Sequence, residues 1–162
     1  MRWIAEWIES KEEMGEVAPV FVKEFCVENT VEKAVLYVTA MGVYEAELNG
    51  TRIGEYVLAP GWTAYEKRLQ YQTYDVTSLL QEQNSLQIMV GKGWYGSKMG
   101  VCDAERTDRS EEIRVRLLAQ LQLTYQNGAT DIWGTNESWK VKEGPVRFSQ
   151  IYDGEHFDAT VI

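Results

Sequence analysis

Apolar side chains recur at every second position through most of this chain, a spacing that suits half-buried strands rather than helices. Val20 to Val27 alternates, Ala34 to Ala40 is rich in β-branched residues, and Val43 to Leu48 continues the pattern. The last of these runs into Asn49-Gly50, a pair suited to a type I′ turn because both central positions need positive φ, and Thr51 to Gly54 returns. Leu69 to Val76 alternates again, with Asp75 placed to cap a short turn over Thr77 to Leu80. Ser85 to Val90 follows. Val115 to Tyr125 then alternates through Leu117, Ala119, Leu121 and Leu123, and Gln126-Asn127-Gly128 predicts a second hairpin with Thr130 to Trp133 returning. Trp139 to Lys142 and Val146 to Phe148 close the series. No amphipathic helix of ordinary length appears. Short strands joined by turns predict an all-β fold, a β-sandwich or jelly roll, over residues 19–162, with residues 1–18 as an N-terminal arm.

At 162 residues the chain suits one domain with an adequate core. A formal charge of −9 argues against a nucleic-acid partner, since phosphate binding needs clustered Lys and Arg. No segment is long and apolar enough to span a membrane, so no membrane partner is expected. Glu6 and Glu9 interrupt the first nine residues, which is unlike a secretory signal and predicts a cytoplasmic location. The two cysteines are Cys26, expected to be a small core hydrophobe, and Cys102, in a loop; nothing in their spacing argues for a bridge.

Catalysis by this chain alone lacks support. The single histidine, His156, has no paired context, and no G-x-S-x-G occurs. Inverting glycoside hydrolysis needs two carboxylates about 6.5–9.5 Å apart, and no acid here is marked as buried. Glu45 and Glu47 fall on the solvent side of their alternation.

Two segments fit no strand: Glu55 to Lys67 and Gly91 to Glu112. The run Gly91 to Gly100, GKGWYGSKMG, superficially suggests a phosphate loop. A phosphate loop needs Gly-Lys-Ser/Thr opening a helix, and here the glycines surround Trp94-Tyr95 with no helix expected to follow. Trp62, Tyr65, Trp94 and Tyr95 all lie in these two loops. They can converge on one end of the sandwich as a sugar platform, plug that end, or pack against a neighbouring domain. Asp103 and Asp108 are weak candidates for a calcium site, in a charged stretch without EF-hand spacing.

The segment Leu36 to Leu80, with LAPGWT and YQTYDVT, resembles the N-terminal domain of bacterial α-L-rhamnosidases. The likeness continues through NSLQIMVGKGWYGSKMG, LLAQLQLTYQNG, TNESWKVKEGPV and IYDGEHFDA. It implies a jelly-roll ancillary domain, galactose-binding-domain-like, beside an α/α barrel that removes terminal rhamnose by inversion and is absent from this chain. It further implies help in recognising rhamnose-containing glycosides, with calcium in some relatives. The binding candidates are Glu55, Trp62, Tyr65, Trp94 and Tyr95; Tyr152, Asp153 and Glu155 are candidates for docking on the barrel. Two departures stand out. Glu55-Tyr56 precede Val57 where relatives carry acidic or amide residues, and VCDAERTDRSEE replaces their Gly-, Arg- and Asn-containing loop. These departures put the calcium and sugar contacts in doubt.

Overall fold

Eleven strands take up the alternating segments in a computed structural model that describes residues 2–98 and 113–161. They are β1 (Pro19–Cys26), β2 (Val31–Met41), β3 (Val43–Leu48), β4 (Thr51–Arg52), β5 (Gln72–Asp75), β6 (Gln83–Gly91), β7 (Arg116–Tyr125), β8 (Thr130–Gly134), β9 (Lys140–Glu143), β10 (Val146–Gln150) and β11 (Gly154–Phe157). A 3-10 turn spans Thr77–Leu79, and one helical turn, α1, spans Gly93–Gly96. No helix among the described residues is long and apolar enough to cross a membrane.

The strands form a five-stranded sheet, β4-β3-β6-β1-β9, a four-stranded sheet, β5-β2-β7-β8, and a ribbon, β10-β11. All the pairings are antiparallel. The two large sheets enclose one core. Phe21, Ala46, Leu48, Leu86 and Ile88 enter it from the first, and Leu36, Val38, Leu117, Leu121 and Leu123 from the second. The predicted β-sandwich is therefore the observed fold, and Glu45 and Glu47 are exposed as their parity requires.

Three expectations are corrected. Cys26 is exposed, because it shares the parity of Glu24, whereas Phe21 and Phe25 face inward. Cys102 lies outside the described residues, so the pairing question concerns a thiol that stands in solvent. The segment from Leu69 is not all strand: β5 starts at Gln72, paired with Val38, and just before it the Thr39 hydroxyl donates to the Gln70 carbonyl at 2.6 Å in place of a ladder bond. The GWYG segment, where no helix was expected, makes the single helical turn α1. In addition, β11 was not foreseen, since its four residues are all exposed and carry no alternation.

The Asn49-Gly50 turn does more than reverse the chain. Both residues have positive φ, 56° and 76°, as a type I′ turn requires. The Asn49 amide also donates to the Leu79 carbonyl at 2.8 Å and to Asn84 Oδ1 at 2.9 Å, while its own oxygen accepts from the Ser85 N–H at 2.9 Å. Buried Asn84 completes the network with bonds to both backbone groups of Gln81. Replacing Asn49 by Ala strands several of these groups and leaves a residue that tolerates the left-handed region less well than asparagine. A loss of about 2–3 kcal/mol in urea unfolding is expected for Asn49→Ala; a midpoint unchanged from wild type would remove Asn49 from the set of stabilising contacts.

The N-cap position of the 3-10 turn falls on Val76, which makes no side-chain cap bond, and Asp75 one residue earlier bonds Thr77 instead. The Asp75 Oδ1 accepts from the Thr77 hydroxyl at 2.6 Å and from the Thr77 N–H at 3.0 Å. These bonds hold its carboxyl below the ordinary value of 3.8, the hydroxyl contributing most. A depressed folded-state pKa means stability that is present above 3.8 and lost as pH falls through the lower folded value. Asp75→Asn is thus expected to flatten the acid limb of a stability-against-pH curve measured with urea, with its effect confined to that limb and the bonds to Thr77; an acid limb of wild-type slope would contradict the assignment.

Candidate functional site

The loops predicted to carry function meet at one end of the sandwich. The first, from Ile53 to Tyr71, is fastened to β3 by an isolated bridge between Tyr44 and Ala59, with the Tyr44 N–H donating to the Ala59 carbonyl at 2.7 Å. The Gln72 side chain adds a second tether. It accepts from the Tyr44 hydroxyl at 2.8 Å and donates to the Pro60 carbonyl at 3.4 Å. Burial, above all, and the Tyr74 hydroxyl 3.2 Å away push the Tyr44 phenol well above its usual range, so it stays a neutral donor. Further along, the Lys67 and Arg68 N–H groups close a tight turn on the Ala64 carbonyl at 2.8 and 2.9 Å, which turns Trp62 and Tyr65 toward α1.

The described start of the second loop, residues 91–98, is positioned by a glycine that a larger residue cannot replace without a clash. Gly93 has φ +48°, and a Cβ there would overlap the Val43 side chain. Directly after it come Trp94 and Tyr95. Trp94 stacks on Trp62 with centroids 6.2 Å apart and planes 6° from parallel. Tyr95 meets Tyr65 edge-on at 5.2 Å. The four loop aromatics are therefore brought together as two pairs. Trp62 keeps 60% of its surface open with Trp94 stacked against it, and Trp94, Tyr65 and Tyr95 are half-buried. A shallow groove is bounded by Met41, Trp62, Tyr65, Glu66, Tyr95 and Arg116. It offers an apolar floor with a carboxylate and a guanidinium at its rim, a composition that suits a ligand with one apolar face and polar edges. Arg116 is steadied by Glu9, 2.8 Å away.

Lys92 answers the question raised by the GKGWYG run. Its side chain turns inward, is only 6% exposed, and donates to Glu16 Oε1 at 2.7 Å. The other Glu16 oxygen accepts from Gln150 Nε2 at 3.1 Å. Lys92 thus joins the segment before β1 to β6 and β10, and it does not face a phosphate. The signal for Met41, Glu66 and Arg116 was absent from the sequence, since two of them are ends of strands and the third one charge among many.

The other candidates lie apart from this groove or outside the description. Glu55 is exposed on the first loop and does not line the groove. Tyr152, Asp153 and Glu155 are exposed on the β10-β11 ribbon. Asp103 and Asp108 lie outside the described residues. Among the described residues no group of three or more His, Cys, Asp or Glu side chains could hold a metal ion.

The fold and this site define a two-sheet antiparallel β-sandwich module that presents paired aromatic rings at its loop end. The α-L-rhamnosidase N-terminal domain family matches residues 29–162. The chain belongs to this family. It is 41% identical over 170 residues to an α-L-rhamnosidase of Alteromonas sp. (strain LOR), covering 98% of this chain and 18% of that one. Among solved structures, it superposes on the Streptomyces avermitilis α-L-rhamnosidase complexed with L-rhamnose with a TM-score of 0.81 and 40% identity, covering 90% of this chain and 14% of that one. The Aspergillus terreus α-L-rhamnosidase gives a TM-score of 0.88 and 37% identity, with 98% and 19% covered. The chain thus spans less than a fifth of the length of these relatives.

Exposed and core tryptophans should separate in stability. Trp62→Ala removes a stack whose outer ring already stands in solvent and is expected to cost under about 1.5 kcal/mol. Trp139 is buried and its indole N–H donates to the Gly134 carbonyl at 3.1 Å; Trp139→Ala is expected to cost about 3–5 kcal/mol. Thermal or urea unfolding of both variants measures the difference, and equal losses would mean that Trp62 is structural.

Proposed function

We propose that this chain is the non-catalytic N-terminal module of a multidomain α-L-rhamnosidase and that it holds a rhamnosyl unit of the glycoside against Trp62. The observation that carries this is the Trp62 ring, 60% open to solvent yet fixed by its stack on Trp94 beside Glu66 and Arg116. A deoxy sugar has an apolar face of C–H groups and a methyl, which suits an indole, and a rim of hydroxyls, which suits a carboxylate and a guanidinium. Pre-fixed rings lower the ordering cost of binding. Hydrolysis is assigned to the remainder of the polypeptide, which in the relatives makes up more than four-fifths of the length.

The interaction is expected to be weak. A monosaccharide of roughly eleven non-hydrogen atoms at about 0.3–0.4 kcal/mol each reaches only a Kd of about 1 mM or weaker. Titration of L-rhamnose and a simple rhamnoside, followed by the indole N–H resonances and by heat, is expected to move Trp62 and Trp94 together. Trp62→Ala should abolish the shifts, and Trp62→Phe should retain part of them. Unchanged indole resonances at tens of millimolar sugar would sink the sugar-binding role. A chain of this kind should also release no nitrophenol from a nitrophenyl rhamnoside.

A further inference from the structure

The loop that supplies Trp62 carries a second feature just upstream of it. Tyr56, Val57 and Leu58 are consecutive and are 66%, 74% and 43% exposed. The core does not need them, because Ile53 and Ala59 on either side are the loop residues that it buries. Three adjacent large apolar side chains left in solvent carry an unfavourable hydration cost that a self-contained domain would avoid.

They are also held in place. Arg52 Nη2 donates to the Tyr56 carbonyl and to Glu45 Oε1, both at 3.1 Å. The Tyr56 ring lies edge-on to buried Tyr74 at 6.3 Å, and Gly54 is required there because a Cβ would overlap the Tyr74 ring. Tyr74 belongs to β5 and Arg52 to β4, so the segment spans the neighbouring edges of the two sheets. Leu58 has φ +57°, a left-handed conformation that strains a leucine. Its carbonyl accepts from the Gly61 N–H at 3.1 Å. A strained, well-tethered backbone therefore projects an apolar knuckle outward. Exposed Glu47 on β3 and Glu55 on the loop itself stand near it, while Glu45 is paired with Arg52.

We propose that Tyr56, Val57 and Leu58 dock into an apolar depression rimmed by Lys or Arg on the polypeptide that accompanies this domain in the same enzyme. The relatives supply such a polypeptide, since the chain covers only 18% of the Alteromonas enzyme. A second copy of this chain fits poorly, because it would bring the same acidic residues together and the chain carries a net charge of −9. This docking role stands on family membership and on exposed surface, and it holds or fails independently of sugar binding at Trp62.

The test compares this chain with the full-length polypeptide encoded by its gene, under hydroxyl-radical labelling read by mass spectrometry. Tyr56, Val57 and Leu58 are expected to label at least about fivefold more slowly in the full-length protein. In the full-length protein alone, Val57→Asp is expected to speed protease cleavage between this domain and the rest by about tenfold while the circular dichroism stays that of wild type. Equal labelling in both forms, wild-type cleavage of Val57→Asp, or a gene that encodes no further polypeptide would each overturn the proposal. Protection that grows with the concentration of this chain would assign the knuckle to self-association, and protection by L-rhamnose would assign it to the sugar; either also overturns it.

Discussion

The register between β2 and β7 is the constraint on which the loop end depends. Ten residues of β2 pair across it, from Val31 opposite Tyr125 to Met41 opposite Arg116. In this register Leu36, Val38 and Ala40 face the core together with Leu117, Ala119 and Leu121. A slip of one residue would turn each of these side chains to solvent, so burial holds the register strongly. The last pair sets Met41 beside Arg116, both of which border the aromatic groove. The position of a guanidinium at the rim of the aromatic groove is thus a consequence of core packing along the ladder.

Polar side chains then hold what the ladder cannot. Asn49 and Asn84 tie the β3-β4 turn to the start of β6. Gln72 ties the first loop to Tyr44. Glu16, Lys92 and Gln150 tie the segment before β1 to the exits of β6 and β10. The N-terminal residues are also sewn down, with the Ile4 N–H on buried Gln120 at 2.7 Å and the Thr135 hydroxyl donating to the Glu6 carbonyl at 2.6 Å. Among the described residues no buried side-chain nitrogen or oxygen lacks a partner. These tethers combine buried groups (Asn84, Lys92, Gln120, Thr135 and Gln150) with partly buried ones (Asn49, Gln72 and Glu16), and the buried ones would be costly to leave unpaired.

The loop from Ile53 to Tyr71 consequently serves two surfaces through one backbone. Its later half sets Trp62 and Tyr65 against Trp94 and Tyr95, and its earlier half sets Tyr56 to Leu58 outward. The Ala59 bridge to Tyr44 lies between the two halves and keeps them from moving as one flexible arm. The paired rings and the exposed apolar segment are thus separate surfaces carried by one loop.

The period-two alternation, the two Gly-containing turns and the loop assignments were all legible in the sequence, because each rests on short-range chemistry: strand parity, positive φ and the need to bury one face. The family motifs were legible separately, as a resemblance of sequence. Cys26 was misjudged because an alternating run does not by itself say which of its two faces is inward, and only the partner strand decides that. β11 and the helical turn at Gly93–Gly96 were missed because four residues are too few to show a period. The sequence by itself determined that Trp62, Tyr65, Trp94 and Tyr95 stand in loops of an antiparallel sandwich. Only the tertiary structure decided that Trp62 stacks on Trp94 and stays open, that Lys92 turns inward to Glu16, and that Tyr56 to Leu58 are left uncovered, since each depends on contacts between residues far apart in the chain.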